Sequence, residues 1–130
     1  MTKISIVIPA FNRKNEVKSL IHSLLLQSMY IHEIIVVDDG STDSTFDELI
    51  TINNPLLQVF RIPNSDRGAA RNFGARKATG DYVNFFDSDD HAYPHHCSTA
   101  AGIVDSLSSY PPWIITSSDI QDSCTNKITP

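Results

Sequence analysis

Hydrophobic positions along the chain alternate between two periods. Ile4 to Pro9 (ISIVIP) is continuously apolar and largely β-branched, the pattern of a strand covered on both faces in a parallel sheet and ended by the proline. Past the polar AFNRKN, Val17, Leu20, Ile21, Leu24 and Leu25 return at the spacing of one helical face, with Asn15 or Asn12 placed to cap the helix. Glu33 to Val37 (EIIVV) predicts a second buried strand that runs directly into Asp38-Asp39-Gly40-Ser41. STDSTFDELI predicts a short helix with Phe46, Leu49 and Ile50 on one side and Thr45 and Glu48 as a capping box. Gln58 to Ile62 reads as a third strand, and Gly68 to Ala78 as a helix whose small residues permit close packing, closed by Gly80. DYVNFF predicts a fourth strand ending in Asp87-Ser88-Asp89-Asp90, followed by a weaker helix near Ser98 to Leu107 and a last strand around Trp113 to Thr116.

Strands that alternate with helices in this way predict an α/β fold, a mostly parallel sheet flanked by helices with right-handed crossovers. Neither repeats nor linkers interrupt residues 1–130, which read as a single domain. At 130 residues with 41% hydrophobic and 19% charged content, the chain has enough apolar surface for a core and too much for intrinsic disorder. A net charge of -5 argues against a nucleic-acid surface. The longest apolar runs fall short of the ~20 residues that span a bilayer, so no membrane segment is expected. Cys97 and Cys124 form no disulfide framework or zinc spacing and read as inert, which fits a reducing cytosol.

In open sheets of this kind the ligand crevice lies outside the carboxyl ends of the strands. The unusual residues collect there: Pro9-Ala10-Phe11-Asn12, Asp38 to Ser41, Asn64 to Asn72, and Asp87 to Asp90. Five of the 15 acids fall in just two of these clusters, and carboxylates so crowded call for a cation. Asp87 and Asp89 would share one side of an extended strand end and grip one ion, and oxygen-only ligands favour Mn²⁺ or Mg²⁺ shared with a phosphate. Arg67 and Arg71, four apart at the start of the third helix, would bind the same diphosphate. Each cluster also has an ordinary reading: strand-end aspartates are often turn or cap residues, and Asp-x-Asp is a common chance match. Their joint order is what argues for a site.

In that order, VIPAFN (Val7 to Asn12), IIVVDDGSTDST (Ile34 to Thr45), NSDRGAARNFGARKATGDY (Asn64 to Tyr82) and FFDSDD (Phe85 to Asp90), the chain resembles the family-2 glycosyltransferases, inverting enzymes with a Rossmann-like GT-A fold. The resemblance spans about two thirds of the chain and is specific as a linear set. It implies a nucleotide-diphosphate sugar donor, with UDP favoured, bound by Pro9, Ala10, Phe11, Asn12, Asp38, Asp39, Arg67, Arg71, Asp87 and Ser88. Phe11 would lie against the base and Asp39 would accept its N–H, with Pro9 and Ala10 shaping the loop. Asp38 would support the loop or touch the ribose, and Arg71 would reach the nucleotide or its phosphates. Asp87 would lie nearer the ribose, and Asp89 on the metal, assisted by Asp90.

The resemblance further implies inverting transfer to an acceptor hydroxyl, the acceptor being a saccharide, lipid or protein. It places the general base and the acceptor-binding part beyond residue 130, so the chain reads as a truncated, N-terminal nucleotide-binding portion. Asp119 and Asp122, in SSDIQDSC, do not match the family's base motif, and neither is assigned. Absent covering strands would leave Trp113, Ile114 and Ile115 at an exposed edge, which predicts self-association. A cytoplasmic location is expected, at a membrane face only through a partner or longer parent. His91, His95 and His96 read as a solvated connection rather than metal ligands. The rival reading is a catalytically inactive nucleotide-binding or partner-binding module of the same ancestry. A receiver-type phosphoryl domain would carry its acidic pair after the first strand, and a dehalogenase-like phosphatase an early Asp-x-Asp; this chain has neither.

Overall fold

The computed structural model describes residues 1–107 and 109, together with the backbone of residues 120–121 and 128–129. Four parallel strands, β1 (Ile4–Ala10), β2 (Glu33–Asp38), β3 (Leu57–Arg61) and β4 (Tyr82–Phe85), form one sheet in the order β3-β2-β1-β4. The connecting helices are α1 (Lys14–Leu25), α2 (Thr45–Leu49) and α3 (Arg67–Lys77), and α4 (His96–Asp105) follows β4. A short antiparallel pair, β5 (Ile120–Gln121) and β6 (Ile128–Thr129), lies in the tail that the sequence pattern left without elements. The strand expected around Trp113 to Thr116 falls outside the described residues.

Every residue of β1 and β2 is buried, as their unbroken apolar runs require. On one face, Ile4, Ile6, Ile8, Ile34 and Val36 meet Val17, Leu20, Ile21 and Leu24 of α1, Leu49 of α2, and Cys97, Ala100 and Ala101 of α4. Full burial of a leucine such as Leu20 or Leu24 stabilises the fold by about 1.5–3 kcal/mol. On the other face Val7, Ile35 and Val37 pack against Ala70 and Phe73 of α3. There Gly74 allows the closest approach, since a Cβ on it would stand 2.4 Å from Val7 Cγ1.

The sequence signals for the element ends fare less well. β1 continues through Pro9 to Ala10. The odd-numbered residues of β1 turn their backbone toward β4, as Val7 does in accepting from the Phe86 amide at 3.1 Å. The β1–β4 pairing ends at Val7 and Phe85, so the missing N–H of Pro9 falls where the ladder has already opened. At the start of α1 the N-cap is Arg13, with no side-chain bond, because the Asn12 carboxamide is used elsewhere. Ser44 precedes α2 and donates to Glu48 Oε1 at 2.9 Å, while Asp43 Oδ1 accepts the Thr45 amide at 2.8 Å. Asp66 caps α3 by accepting the Ala69 amide at 2.7 Å. Gly80 does not close α3, which ends on an extended Ala78; it lies against the backbone of Lys3 and Ser5.

Candidate functional site

The strand order reverses between β1 and β4, and beyond Val7 and Phe85 those two strands part. This is the switch point at which open α/β sheets bind ligands. The loops after β1, β2 and β4 and the first turn of α3 gather around it.

The turn after β2 is held from several sides. The Asp39 amide donates to the Ala10 carbonyl at 2.8 Å, and Gly40 takes a left-handed φ of 69°, a conformation that a glycine adopts without strain. Asn12, itself at φ 50°, donates from its amide to Ser41 Oγ at 2.9 Å. Its Oδ1 accepts the Thr42 amide at 2.8 Å. Asn12 thus ties the first loop to the second. Asp38, at 0% side-chain exposure, accepts the Ser41 amide at 3.1 Å on Oδ2, and its Oδ1 has no hydrogen-bond partner among the described residues. Asp39 Oδ1 accepts the Ser65 amide at 2.8 Å, and its carbonyl accepts from Asn64 Nδ2 at 2.9 Å. Among the described residues no hydrogen bond or ion pair engages Asp39 Oδ2. Phe11 stands beside this turn with 44% of its surface exposed, unusual for an aromatic that serves only the core.

Across the rim, Asp87 accepts a charge-assisted hydrogen bond from Arg71 Nη2, and Arg67 Nη1 lies 3.7 Å from its other oxygen. Both arginines project from the start of α3, where four-residue spacing puts them on one face. The buried Nε of Arg71 has no hydrogen-bond partner among the described residues. Asp87 to Asp90 do not continue the strand, as the alternation argument assumed. They form a turn, with the Asp90 amide donating to the Asp87 carbonyl at 3.0 Å and the Asp87 amide to Asp90 Oδ2 at 2.8 Å. Ser88 is half-buried in this turn. Asp89 is exposed and makes no hydrogen bond or ion pair among the described residues.

No group of three or more His, Cys, Asp or Glu among the described residues forms a metal cage. An oxygen-only donor such as Asp89, exposed and unengaged, fits a hard divalent ion that is shared with a phosphate ligand and keeps waters. His91 is exposed, His95 stacks on Tyr93 at 5.8 Å, and His96 Nε2 lies 2.6 Å from Asn84 Nδ2. Burial lowers the pKa of His96, with the nearby His95 adding to the effect. Burial also raises the Cys97 thiol to about 11, which keeps it protonated and unreactive. Sequence reasoning missed Arg61, which pairs with Asp38, and placed Asn64 and Ser65 at the rim without a role; they hold Asp39. No local pattern marks Arg61, because its place beside Asp38 follows from the register of β3 against β2.

A parallel sheet with its polar residues at the carboxyl rim, an acidic turn after β2 and an Asp-x-Asp turn after β4 define an α/β domain whose candidate site lies at the carboxyl ends of its strands. Residues 5–108 match the model for glycosyl transferase family 2, and the chain belongs to that family. It is 43% identical over 94 residues to an uncharacterised glycosyltransferase of Rickettsia conorii, covering 71% of this chain and 15% of that relative. It is 36% identical over 94 residues to the uncharacterised glycosyltransferase YibD of Escherichia coli, covering 71% and 27%. The crystal structure of Staphylococcus aureus TarS 1-349 in complex with UDP-GlcNAc is similar over 79% of this chain and 31% of TarS, at 34% identity and a TM-score of 0.73. The fold is therefore the Rossmann-like GT-A type, and the chain spans under a third of the length of each of these relatives. No helix among the described residues is long and apolar enough to cross a membrane.

Proposed function

We propose that the chain supplies the donor half of an inverting sugar transferase and binds a UDP-sugar at the parting of β1 and β4. One observation carries this reading: a continuous line of contacts that joins the two acidic turns. Asp39 holds Ser65, Asp66 caps α3, and the first turns of α3 bring Arg67 and Arg71 onto Asp87. In this reading Asp39 Oδ2 accepts the N–H of a uracil ring and Phe11 covers the face of the base. Pro9, Ala10, Asn12 and Asp38 shape the pocket from beneath, and Ser88 lies against the donor. Arg67 and Arg71 offer guanidinium groups to the diphosphate, displacing part of their pairing with Asp87.

Asp89, with Asp87 beside it, would hold Mn²⁺ or Mg²⁺, which when bound neutralises charge on the departing nucleoside diphosphate. The complex of the similar TarS with UDP-GlcNAc supports a nucleotide-sugar donor. An acceptor hydroxyl and its general base complete the reaction. The test is titration calorimetry of UDP into the chain with and without Mn²⁺, with GDP as control. UDP binding that Mn²⁺ strengthens and GDP does not reproduce is expected. A folded chain that binds no nucleotide overturns the reading.

A further inference from the structure

One guanidinium stands behind the turn that presents Asp39. Arg61 ends β3 in register with Asp38. Its Nη2 donates to the Ser41 carbonyl at 2.8 Å, its Nε lies 3.4 Å from Asp38 Oδ2, and its guanidinium lies 5.2 Å from the centroid of the Phe46 ring. Asp38 is wholly buried, and Arg61 is its one ion-pair partner among the described residues. Asp39 and Gly40 are thus strung between two points, Asp38 and Ser41, that the same side chain holds. Gly40 lies in left-handed backbone and offers little stiffness of its own. From the far side, the donors that reach Asp39 among the described residues are neutral: the Ser65 amide to Oδ1 and Asn64 Nδ2 to its carbonyl.

We propose that Arg61 is the positioning residue of the nucleoside-recognition turn: it compensates the buried Asp38 carboxylate and clamps the Ser41 carbonyl, and so sets where Asp39 meets the ligand. The inference rests on the nucleotide-binding reading above. A planar fork can serve a carboxylate and a carbonyl together, whereas a lysine at 61 supplies charge at a single point. Arg61 lies on the nucleoside side of the site, and the diphosphate falls to Arg67, Arg71 and Asp89, so its loss should weaken nucleoside and nucleotide binding by the same factor.

The experiment measures UDP affinity by calorimetry and uridine affinity by competition for the wild-type chain, Arg61→Lys and Arg61→Ala, with circular dichroism confirming the fold of each. Arg61→Ala is expected to weaken UDP and uridine alike by about tenfold or more, as for other charge pairs cut from one side, with Arg61→Lys recovering part of the loss. A folded Arg61→Ala that binds UDP like the wild type overturns the proposal. So does a loss confined to UDP, which would place the effect at the phosphates. If Arg61→Ala does not fold, Arg61→Lys decides: weakened binding of both ligands supports the clamp, and unchanged affinity overturns it. A wild-type chain that binds neither ligand overturns the nucleotide-binding reading, and this one with it.

Discussion

Asp87 and Asp89 are separated by one residue and differ in what surrounds them. Asp87 is half-buried and paired with Arg67 and Arg71, and its amide is capped by Asp90 Oδ2 at 2.8 Å. Removing its charge leaves the two guanidinium groups side by side with no anion between them. Asp87→Asn should therefore lower stability by roughly 1 kcal/mol, a partly exposed pair being screened by solvent. Asp89 is exposed and makes no hydrogen bond or ion pair among the described residues, so Asp89→Asn should leave stability unchanged to within about 0.5 kcal/mol. Binding should reverse the ranking of the two in one respect: Asp89→Asn should abolish the enhancement of UDP binding by Mn²⁺. Urea unfolding and calorimetry on the two variants check this division. A destabilised Asp89→Asn, or one that keeps the full response to Mn²⁺, would show that the roles are wrongly assigned.

Between elements, the opposite end of the sheet is fastened by a buried carboxylate. Glu33 begins β2 and accepts from Ser5 Oγ of β1 at 2.7 Å, from Gln58 Nε2 of β3 at 2.9 Å, and from the Thr79 amide before β4 at 2.6 Å. Burial works to raise its pKa, but the hydrogen bonds from Ser5 and Thr79 and the charge of His32 outweigh it and leave the pKa below 4.5. A carboxylate with a lowered folded pKa stabilises the fold above its unfolded pKa, and that contribution is lost as the pH falls through the folded value. Glu33→Gln should cost about 1–3 kcal/mol at neutral pH by disrupting buried acceptors. Urea unfolding at pH 7 and below pH 4 should show the gap between wild type and variant closing on acidification; a gap independent of pH would sink the argument. The strands that meet at Glu33 were legible in the sequence because β1 and β2 are buried on both faces, which writes an unbroken apolar run. The α1 face was legible from Val17, Leu20, Ile21 and Leu24, and Asp38, Asp39 and Asp87 were legible as rim residues because strand ends fix where they fall, and Arg71 because it lies near the start of the helix that follows β3. What the sequence hid is which donor meets which acceptor across the fold. Asn12 had the chemistry of a helix cap, yet its carboxamide serves Thr42, 30 residues on. The Asp-x-Asp segment invited strand alternation, but Asp90 closes it into a turn. The partnership of Arg61 with Asp38 depends on the register of β3 against β2, and no local pattern encodes register.

At the scale of the whole molecule, the order β3-β2-β1-β4 puts two strands at the margins of the sheet, and they are finished differently. At β3, Phe60 packs edge-on against Phe73 of α3 at 5.6 Å, and Lys77 lies 5.5 Å from both ring centroids, bringing charge to that margin. At β4, Val83 and Phe85 share the parity of Val7 and so lie on the α3 face, yet they remain 36% and 45% exposed. Beyond β4 no further strand of the sheet is paired among the described residues. An apolar, unpaired strand edge without a charged residue pointing from that face is a template for pairing with another chain. The Trp113 to Ile115 segment, which the sequence reading held responsible for self-association, lies outside the described residues; β4 supplies the argument independently. A net charge of -5 gives only modest repulsion between copies. Sedimentation velocity over a rising concentration series should therefore reveal reversible association of this chain. Val83→Lys, which puts a charge on the margin without touching the acidic turn, should shift it toward monomer. A wild-type chain that sediments as a monomer throughout would mean that the β4 margin is shielded, and an association untouched by Val83→Lys would place the contact on another surface.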